Sequence, residues 1–232
     1  MSFQSSFESF AMDVIPHGIT PALTDRLRQL ARPLQLDRRA TAKLEAERDQ
    51  LVFVACGAIK LVATNDLGTE QIVSFHFAGD VASFSRHDAQ VMQIVALRPC
   101  ELLIFDTREV LALARQDAQL SEDLTMRAIR SLQNCREHAL ALGRRSAQER
   151  VACFLMAMRK LRAVSTDRGT TLHLPMTRRE IADCLGLTVE TVSRQFSQLR
   201  AAGLIATPSR TIVTLLDPGR LAERTGSAST PI

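Results

Sequence analysis

The segment from residue 177 to residue 200 constrains the fold of this chain more than any other part of its sequence. Thr177 and Glu180 have the Thr-x-x-Glu spacing of a capping box, in which each side chain satisfies a backbone amide at the start of a helix. Gly186 predicts the end of that helix in a tight turn. Thr188 then stands where a second helix would be capped. Two helices joined by so short a turn predict a helix-turn-helix.

The second of these helices divides into two faces at helical periodicity. One face is apolar, and the other presents an acid, a hydroxyl and a base as Glu190, Ser193 and Arg194. Arginine can bond to guanine O6 and N7, glutamate to the cytosine amino group, and serine to several bases. This face therefore predicts a recognition helix that reads bases in the major groove. The alternative is an exposed ion pair between Glu190 and Arg194, which would contribute only about 0.3–0.5 kcal/mol.

The surroundings of this helix indicate a nucleic-acid-binding module. After Gly203 the segment LIATPSRTIVTLL predicts a hairpin, which would add a wing. Residues 144 to 232 carry 14 Lys+Arg and 7 Asp+Glu, a net charge of +7, whereas residues 1 to 143 carry 15 and 18, a net charge of −3. Such a basic C-terminal third is typical of a polyanion-binding region. The residues expected to contact the DNA backbone or to support the base-reading side chains are Thr177, Arg178, Arg179, Thr188, Val189, Thr191, Ser197 and Arg210.

Between residues 51 and 105, short apolar runs alternate with turn signals. The runs are LVFVACG, AIKLVAT, QIVSFHF, VMQIVAL and ELLIF, and the expected turns are NDLG, AGD and RPC. This pattern predicts an antiparallel sandwich, roll or barrel. A short helix is expected before it, over residues 20 to 31, with Thr20 as its cap and Pro21 in its first turn.

A long helix is predicted from about residue 107 to 142, followed by another over residues 146 to 163. One narrow face of the long helix repeats small and apolar residues at three-four spacing, which would allow a second copy of the chain to approach closely. The alternative is an amphipathic helix that packs only on its own domain. The residues of this face, here called the seam, are Thr125, Ala128, Leu132, Cys135, Ala139 and Leu142.

Several classes of protein are disfavoured by composition. No apolar run approaches the roughly 18 residues needed to cross a membrane, and the N-terminus lacks the features of a secretory signal. We therefore expect a cytoplasmic protein without a membrane partner. The five scattered cysteines argue against a disulfide framework and a zinc site. No nucleophile-base motif or glycine-rich phosphate loop is present, so we do not expect an enzyme.

The stretch LPMTRREIADCLGLTVETVSRQFSQLRAAGLI resembles the DNA-binding region of the Crp/Fnr family of bacterial transcription regulators. Val189 and Ser193 match the Fnr/FixK branch rather than the catabolite-activator branch, and HALALGRRSAQERVACFLM is similar to the junction that precedes this region. The resemblance implies an α+β chain. Its expected parts are an antiparallel β-roll (a double-stranded β-helix like that of cyclic-nucleotide-binding domains) with an N-terminal helix at 1–116, a dimerisation helix at 117–143, a winged helix-turn-helix at 144–220 and a flexible tail at 221–232.

The resemblance also implies a function. It indicates a homodimeric regulator, expected to be an activator, that reads a TTGAT-N4-ATCAA palindrome through Glu190, Ser193 and Arg194. Its genes would be those of microaerobic or anaerobic metabolism, such as respiration, denitrification or nitrogen fixation. RNA polymerase is the implied protein partner, with the turn at 164–170 and the loop TNDLGTE (64–70) as candidate contacts.

The roll departs from the family's sensors. Cyclic-nucleotide binders need a Gly-Glu pair and an Arg-Ser/Thr pair, whereas this chain has Gly79-Asp80 and only Arg86 in a predicted loop. A phosphate left unpaired there would be costly. No cysteine precedes Cys56, so an Fnr-type [4Fe–4S] cluster would lack most of its ligands. The resemblance therefore implies no cofactor and a FixK-like protein controlled through its own synthesis.

Two alternatives stay open. The first is a sensor of the same family gated by haem, NO or another small ligand, with His17, His76 and His87 as candidate haem ligands. The second concerns Cys184, whose thiol near Arg178 and Arg179 could have a lowered pKa and be oxidised. The competing interpretation is that Cys184 is a packed core residue.

Overall fold

The computed structural model describes residues 2–44, 47–85, 91–144, 146–162, 164–166 and 169–226. The chain forms two compact units, Met1–Ser131 and Leu132–Ile232. Arg86, His87 and part of the 164–170 turn lie outside the described residues. Within those residues, no helix combines the length and the apolar character that crossing a membrane requires.

The first unit is built on an antiparallel sheet, in which β6 and β3 are central and neighbour each other. The order is β1-β6-β3-β4, with β2 on β6 and β5 on β3, so the predicted antiparallel roll is confirmed. The elements are α1 (Phe3–Val14), α2 (Pro21–Leu30), β1 (Arg32–Leu36), β2 (Thr41–Lys43), β3 (Gln50–Thr64), β4 (Glu70–Phe77), β5 (Val81–Phe84), β6 (Val91–Asp106), α3 (Thr107–Ala114) and α4 (Ala118–Arg144), the last continuing into the second unit.

The predicted turn at RPC is wrong, because β3 and β6 each run on as one long strand. Their pairing shifts register on both sides of Cys56, so the irregularity is a bulge within the sheet. Gly57 lies at this bulge with φ +87°, and a Cβ there would collide with the Pro99 carbonyl oxygen and lie 2.6 Å from Cys100 Cβ. Two strands approach too closely here for any side chain at residue 57.

Both faces of β3 are buried. Val52 and Val54 belong to one apolar cluster, while Phe53 belongs to the other, as the alternation of a strand requires. In the second cluster the ring of Phe10 lies 5.3 Å from that of Phe53 and 4.7 Å from that of Phe105. Phe10 comes from α1, a helix that the sequence reasoning missed although its buried residues recur at three-four spacing.

The prediction of one helix from 107 to 142 is also wrong. The chain forms α3 and then α4, with a break after Ala114. Asp117 Oδ1 accepts a hydrogen bond of 2.9 Å from the Leu120 amide, so its side chain caps a new helix instead of continuing the old one.

The second unit combines helices with a small antiparallel sheet of order β7-β8-β10-β9. The predicted buried face of α5, formed by Val151, Phe154, Leu155 and Met158, is present. A flexible tail was expected from residue 221, but Leu221 is fully buried within a last helix, so the folded region extends further. The elements are α5 (Ala147–Arg162), β7 (Val164–Thr166), β8 (Gly169–His173), α6 (Arg178–Cys184), α7 (Val189–Ala201), β9 (Ile205–Ala206), β10 (Ile212–Leu215) and α8 (Pro218–Glu223).

Candidate nucleic-acid interface

The helix-turn-helix begins with the predicted capping box. Thr177 Oγ1 accepts from the Glu180 amide at 3.2 Å, and Glu180 Oε2 accepts from the Thr177 amide at 2.7 Å. α6 ends in a turn at Gly186, which has φ +60°, and the Leu187 amide donates to the Ala182 carbonyl at 2.9 Å. Both ends of this short helix are therefore held by hydrogen bonds from outside its regular ladder.

α7 begins at the predicted second cap. Thr188 Oγ1 accepts from the Thr191 amide at 3.2 Å, and its hydroxyl lies 3.0 Å from Thr191 Oγ1. Thr191 and Val189 are half-buried at this end. Three apolar residues anchor the helix in the unit's core, and the opposite side is exposed. The anchoring residues are Val192, Phe196 and Leu199, and the exposed ones include Glu190, Ser193, Arg194 and Ser197.

The expected base-reading residues are not engaged with one another. Within the described part of the chain, no ion pair joins Glu190 to Arg194, and the Ser193 hydroxyl makes no hydrogen bond. The surface ion pair considered as the alternative is therefore absent among these residues. Acid, hydroxyl and base face outward together, free to bond to an external partner.

Two neighbouring arginines at the start of α6 have different environments. Arg178 Cζ lies 3.3 Å from the centroid of the Phe196 ring, and burial, with a smaller effect from Arg200, lowers the pKa of its guanidinium to about 10. Arg179 is exposed. The first arginine covers the buried ring that anchors α7, and only the second is fully available to a phosphate.

Arg200 is a supporting residue that the sequence reasoning missed. Its Nη2 donates to Ser197 Oγ at 2.9 Å and its Nη1 to Thr207 Oγ1 at 3.2 Å, so it joins the last turn of α7 to the start of the wing. The sequence signal for this role is the spacing of Arg200 three residues after Ser197 near the end of a predicted helix. Arg210, at the tip of the predicted hairpin between β9 and β10, is exposed.

The seam is largely open to solvent. All of its residues except the half-buried Leu142 are exposed, and Leu132 is 59% exposed. Met126 and Ile129 add exposed apolar surface beside it. Leu124, on another side of α4, packs against the aromatic cluster of the roll. The exposed side of α4 therefore has apolar surface that the described chain does not cover.

Of the two interpretations of Cys184, the reactive thiol with a lowered pKa does not fit the structure. The thiol is buried in the core of the helix-turn-helix, and burial, with Asp183 adding to it, raises its pKa to about 12. Low dielectric surroundings disfavour the thiolate, which is the reactive form. The structure therefore favours the packed core interpretation.

Of the candidate haem ligands, His17 lies between α1 and α2 and His76 lies in β4, whereas His87 is outside the described residues. His76 is half-buried in β4, with Nε2 2.9 Å from Ser74 Oγ, and desolvation lowers its pKa while Asp80 opposes that shift. His17 is exposed. Asp80, which stands where nucleotide binders have glutamate, accepts from the Phe77 amide at 2.8 Å and so stabilises its own turn.

Comparisons with known proteins agree with this arrangement. A family profile described as a Crp-like helix-turn-helix domain matches residues 149–224. The nitrogen fixation regulation protein FixK of Rhizobium meliloti is 31% identical over 180 residues, covering 75% of this chain and 77% of FixK. The transcriptional activator protein Anr of Pseudomonas protegens is 32% identical over 187 residues, covering 78% and 74%. The structure of FixK2 from Bradyrhizobium japonicum matches with a TM-score of 0.74 at 30% identity, covering 86% of this chain and 99% of that one. The chain therefore belongs to the Crp/Fnr family of bacterial transcription regulators, with FixK-like proteins as its relatives.

Proposed function

We propose that this regulator is a homodimeric activator that binds a TTGAT-N4-ATCAA palindrome, one half-site for each subunit, in the cytoplasm. The observation that carries the proposal is the exposed face of α7, where the side chains of Glu190, Ser193 and Arg194 have no partner among the described residues. Guanine and cytosine edges offer an arginine and a glutamate their hydrogen-bonding partners in the major groove. In this proposal the parts are the roll to residue 116, the dimerisation helix over 117–143 and the winged helix-turn-helix over 144–220.

Operator binding is tested by titrating labelled duplexes and following fluorescence anisotropy. Arg194→Ala should weaken binding to the palindrome by about 5- to 150-fold for each half-site, the equivalent of about 1–3 kcal/mol, because a bidentate base contact is lost. Binding to a scrambled duplex should hardly change. Arg159→Ala is the matched control, since Arg159 is an exposed arginine on α5. Equal affinity of the wild-type protein for palindrome and scrambled duplex would refute the assignment.

The proposed dimer uses the seam of α4. In a two-fold symmetric contact between parallel helices, residues near the axis face their own symmetry mates. Cys135 is exposed on the seam, so mild oxidation should join two chains through a Cys135 disulfide. A covalent dimer on a non-reducing gel is expected for wild type and for Cys153→Ser, but not for Cys135→Ser. A monomeric mass in solution at micromolar concentration, together with no cross-link, would contradict the seam.

The proposal of an activator of oxygen-limited metabolism rests on the similarity to FixK and Anr and on an accessible loop. Leu67, in the loop at 64–70, is 90% exposed. Asn65 Oδ1 accepts from the Leu67 and Thr69 amides at 3.0 and 2.9 Å, which gives that loop a fixed shape. If RNA polymerase contacts it, Leu67→Ser should lower transcription in vitro while operator affinity stays unchanged. Full transcription by this variant would rule the loop out.

The proposal includes no effector and no cofactor. A footprint of untreated, aerobically purified protein should therefore cover the palindrome without any addition. Protection that appears only after reconstitution with haem or another small ligand would favour the effector-gated alternative. The absorption spectrum of the same sample identifies a coloured cofactor directly.

A further inference from the structure

Arg150 joins two helix ends within the second unit. It lies in the first turn of α5, and its guanidinium reaches away from that helix. Nη2 donates to the Leu142 carbonyl at 2.7 Å, near the end of α4. Nη1 donates to the Leu185 carbonyl at 3.0 Å and approaches the Gly186 carbonyl at 3.4 Å, where α6 turns toward the next helix. One side chain therefore bonds to the ends of two other helices.

The chemistry of these ends suits an arginine. The last carbonyls of a helix have no partner within it, and together they carry the partial negative charge of the helix dipole. A guanidinium is a planar, permanently charged fork, so its two nitrogens can donate to two separate acceptors at once. A lysine ammonium is a single point charge on a flexible stem. It can neutralise one end but cannot fix the angle between two.

The turn at Gly186 lies in van der Waals range of this arginine. A Cβ added at Gly186 would lie 3.5 Å from Leu142 Cδ2 and 3.6 Å from Arg150 Nη1. The backbone of the turn thus lies against both the last part of α4 and the guanidinium. Thr188, which caps α7, comes two residues after this glycine. A displacement of the turn would therefore displace the start of α7.

We infer that Arg150 is a positioning residue that fixes the recognition helix α7 relative to the C-terminal end of α4, and thereby sets the separation of the two recognition helices in the dimer. The inference rests on the proposed function, because it assumes that α4 carries the dimer seam and that α7 reads DNA. Arg150 itself contacts no base in this account. Its effect appears only when two half-sites must be bound at a fixed distance.

The test compares four duplexes in anisotropy titrations of the full-length protein: the palindrome with a four-base spacer, the same half-sites with three-base and five-base spacers, and a single half-site. Wild type should prefer the four-base spacer. Arg150→Ala should keep the half-site affinity within about threefold, but it should lose about tenfold or more of the preference for the four-base spacer, because the second half-site is no longer presented at the correct distance. Arg150→Lys, which keeps the charge, should have a spacer preference between those of wild type and Arg150→Ala. Arg159→Ala should behave as wild type.

The outcomes separate this inference from the proposed function. A wild-type protein that binds none of the duplexes specifically contradicts the proposed function. If wild type binds and both Arg150 variants keep the full spacer preference, the inference is wrong. It is also wrong if both variants lose half-site and palindrome affinity in equal measure, since a purely structural role in folding the unit would do that.

Discussion

Arg178→Ala and Arg179→Ala are expected to affect different properties although the two residues are adjacent: the first should lower the stability of the unit, and the second should weaken DNA binding. Arg178 lies over the buried Phe196 ring, with Cζ 3.3 Å from its centroid, whereas Arg179 is exposed. Removing the first should loosen the anchor of α7. Removing the second should leave the fold intact and take away one phosphate contact.

The size of the first effect follows from what covers Phe196. A partly desolvated cation–π contact contributes about 0.5–2 kcal/mol, and the arginine stem also shields the ring from water. Opposing this, burial and the neighbouring Arg200 disfavour the charge, as the pKa lowered to about 10 indicates. We therefore expect Arg178→Ala to destabilise the unit by about 1–2 kcal/mol. Arg178→Met keeps the cover and removes the charge, so it should lie closer to wild type.

Hydrogen exchange of the α7 amides reports the stability of this unit separately from that of the rest of the chain. A loss of about 1–2 kcal/mol corresponds to about 5- to 30-fold faster exchange of the α7 amides that open with the unit. Arg179→Ala should leave that exchange unchanged. It should instead lower the slope of log affinity against log salt by about 1 for each lost contact, hence by about 2 for a dimer. If Arg178→Ala flattens the salt dependence without faster exchange, the stacking argument is refuted.

The remaining predictions concern local environments. Gly57→Ala should lower the free energy of unfolding in urea by about 1–3 kcal/mol more than Gly68→Ala, because both glycines have positive φ but only the first would place its Cβ against backbone. His76→Gln should reduce the loss of stability as the pH falls below about 6.5, by at most about 1.4 kcal/mol per pH unit. The reason is that the pKa of His76 is lowered in the folded protein, so the unfolded chain takes up the proton first; an unchanged acid profile would contradict this. Cys184, with a pKa raised from 9.0 to about 12, should have about a thousandfold smaller thiolate fraction than a free thiol and stay unalkylated at pH 8 by mass spectrometry; rapid labelling in the folded protein would contradict its burial.

The helix-turn-helix was predictable from the sequence because its signals are local. The capping residues Thr177 and Thr188 and the periodicity of α7 act within a few positions, and the structure places them as expected. The continuity of β3 and β6 was not predictable in this way. The Arg-Pro-Cys segment has the composition of a turn, but pairing with both neighbouring strands keeps it in β6: Arg98 pairs with Ala58, and Cys100 pairs with Leu36.

The roles of residues whose contacts are distant in sequence could not be predicted either, because local patterns do not reveal those contacts. Arg178 and Arg179 are the same residue type one position apart, and a rotation of about 100° decides which of them meets Phe196. Arg150 bonds to carbonyls 8 and 35 residues away, which no local spacing reveals. The break before α4 is a different case, since Asp117 is a recognisable cap that the apolar periodicity on either side obscured.

The short length of α6 explains why several side-chain hydrogen bonds of this unit are made to helix ends. The helix has seven residues, well below the roughly 12–15 that an isolated helix needs to be even marginally stable. Packing of Ile181 and Cys184 fixes its position in the core but leaves both ends of its backbone unsatisfied. Thr177 and Glu180 satisfy the first amides, and Arg150 takes the carbonyl of Leu185 at the other end. In this account the orientation of α7, which follows within a few residues, depends on hydrogen bonds that can be removed one at a time without creating a cavity in the core.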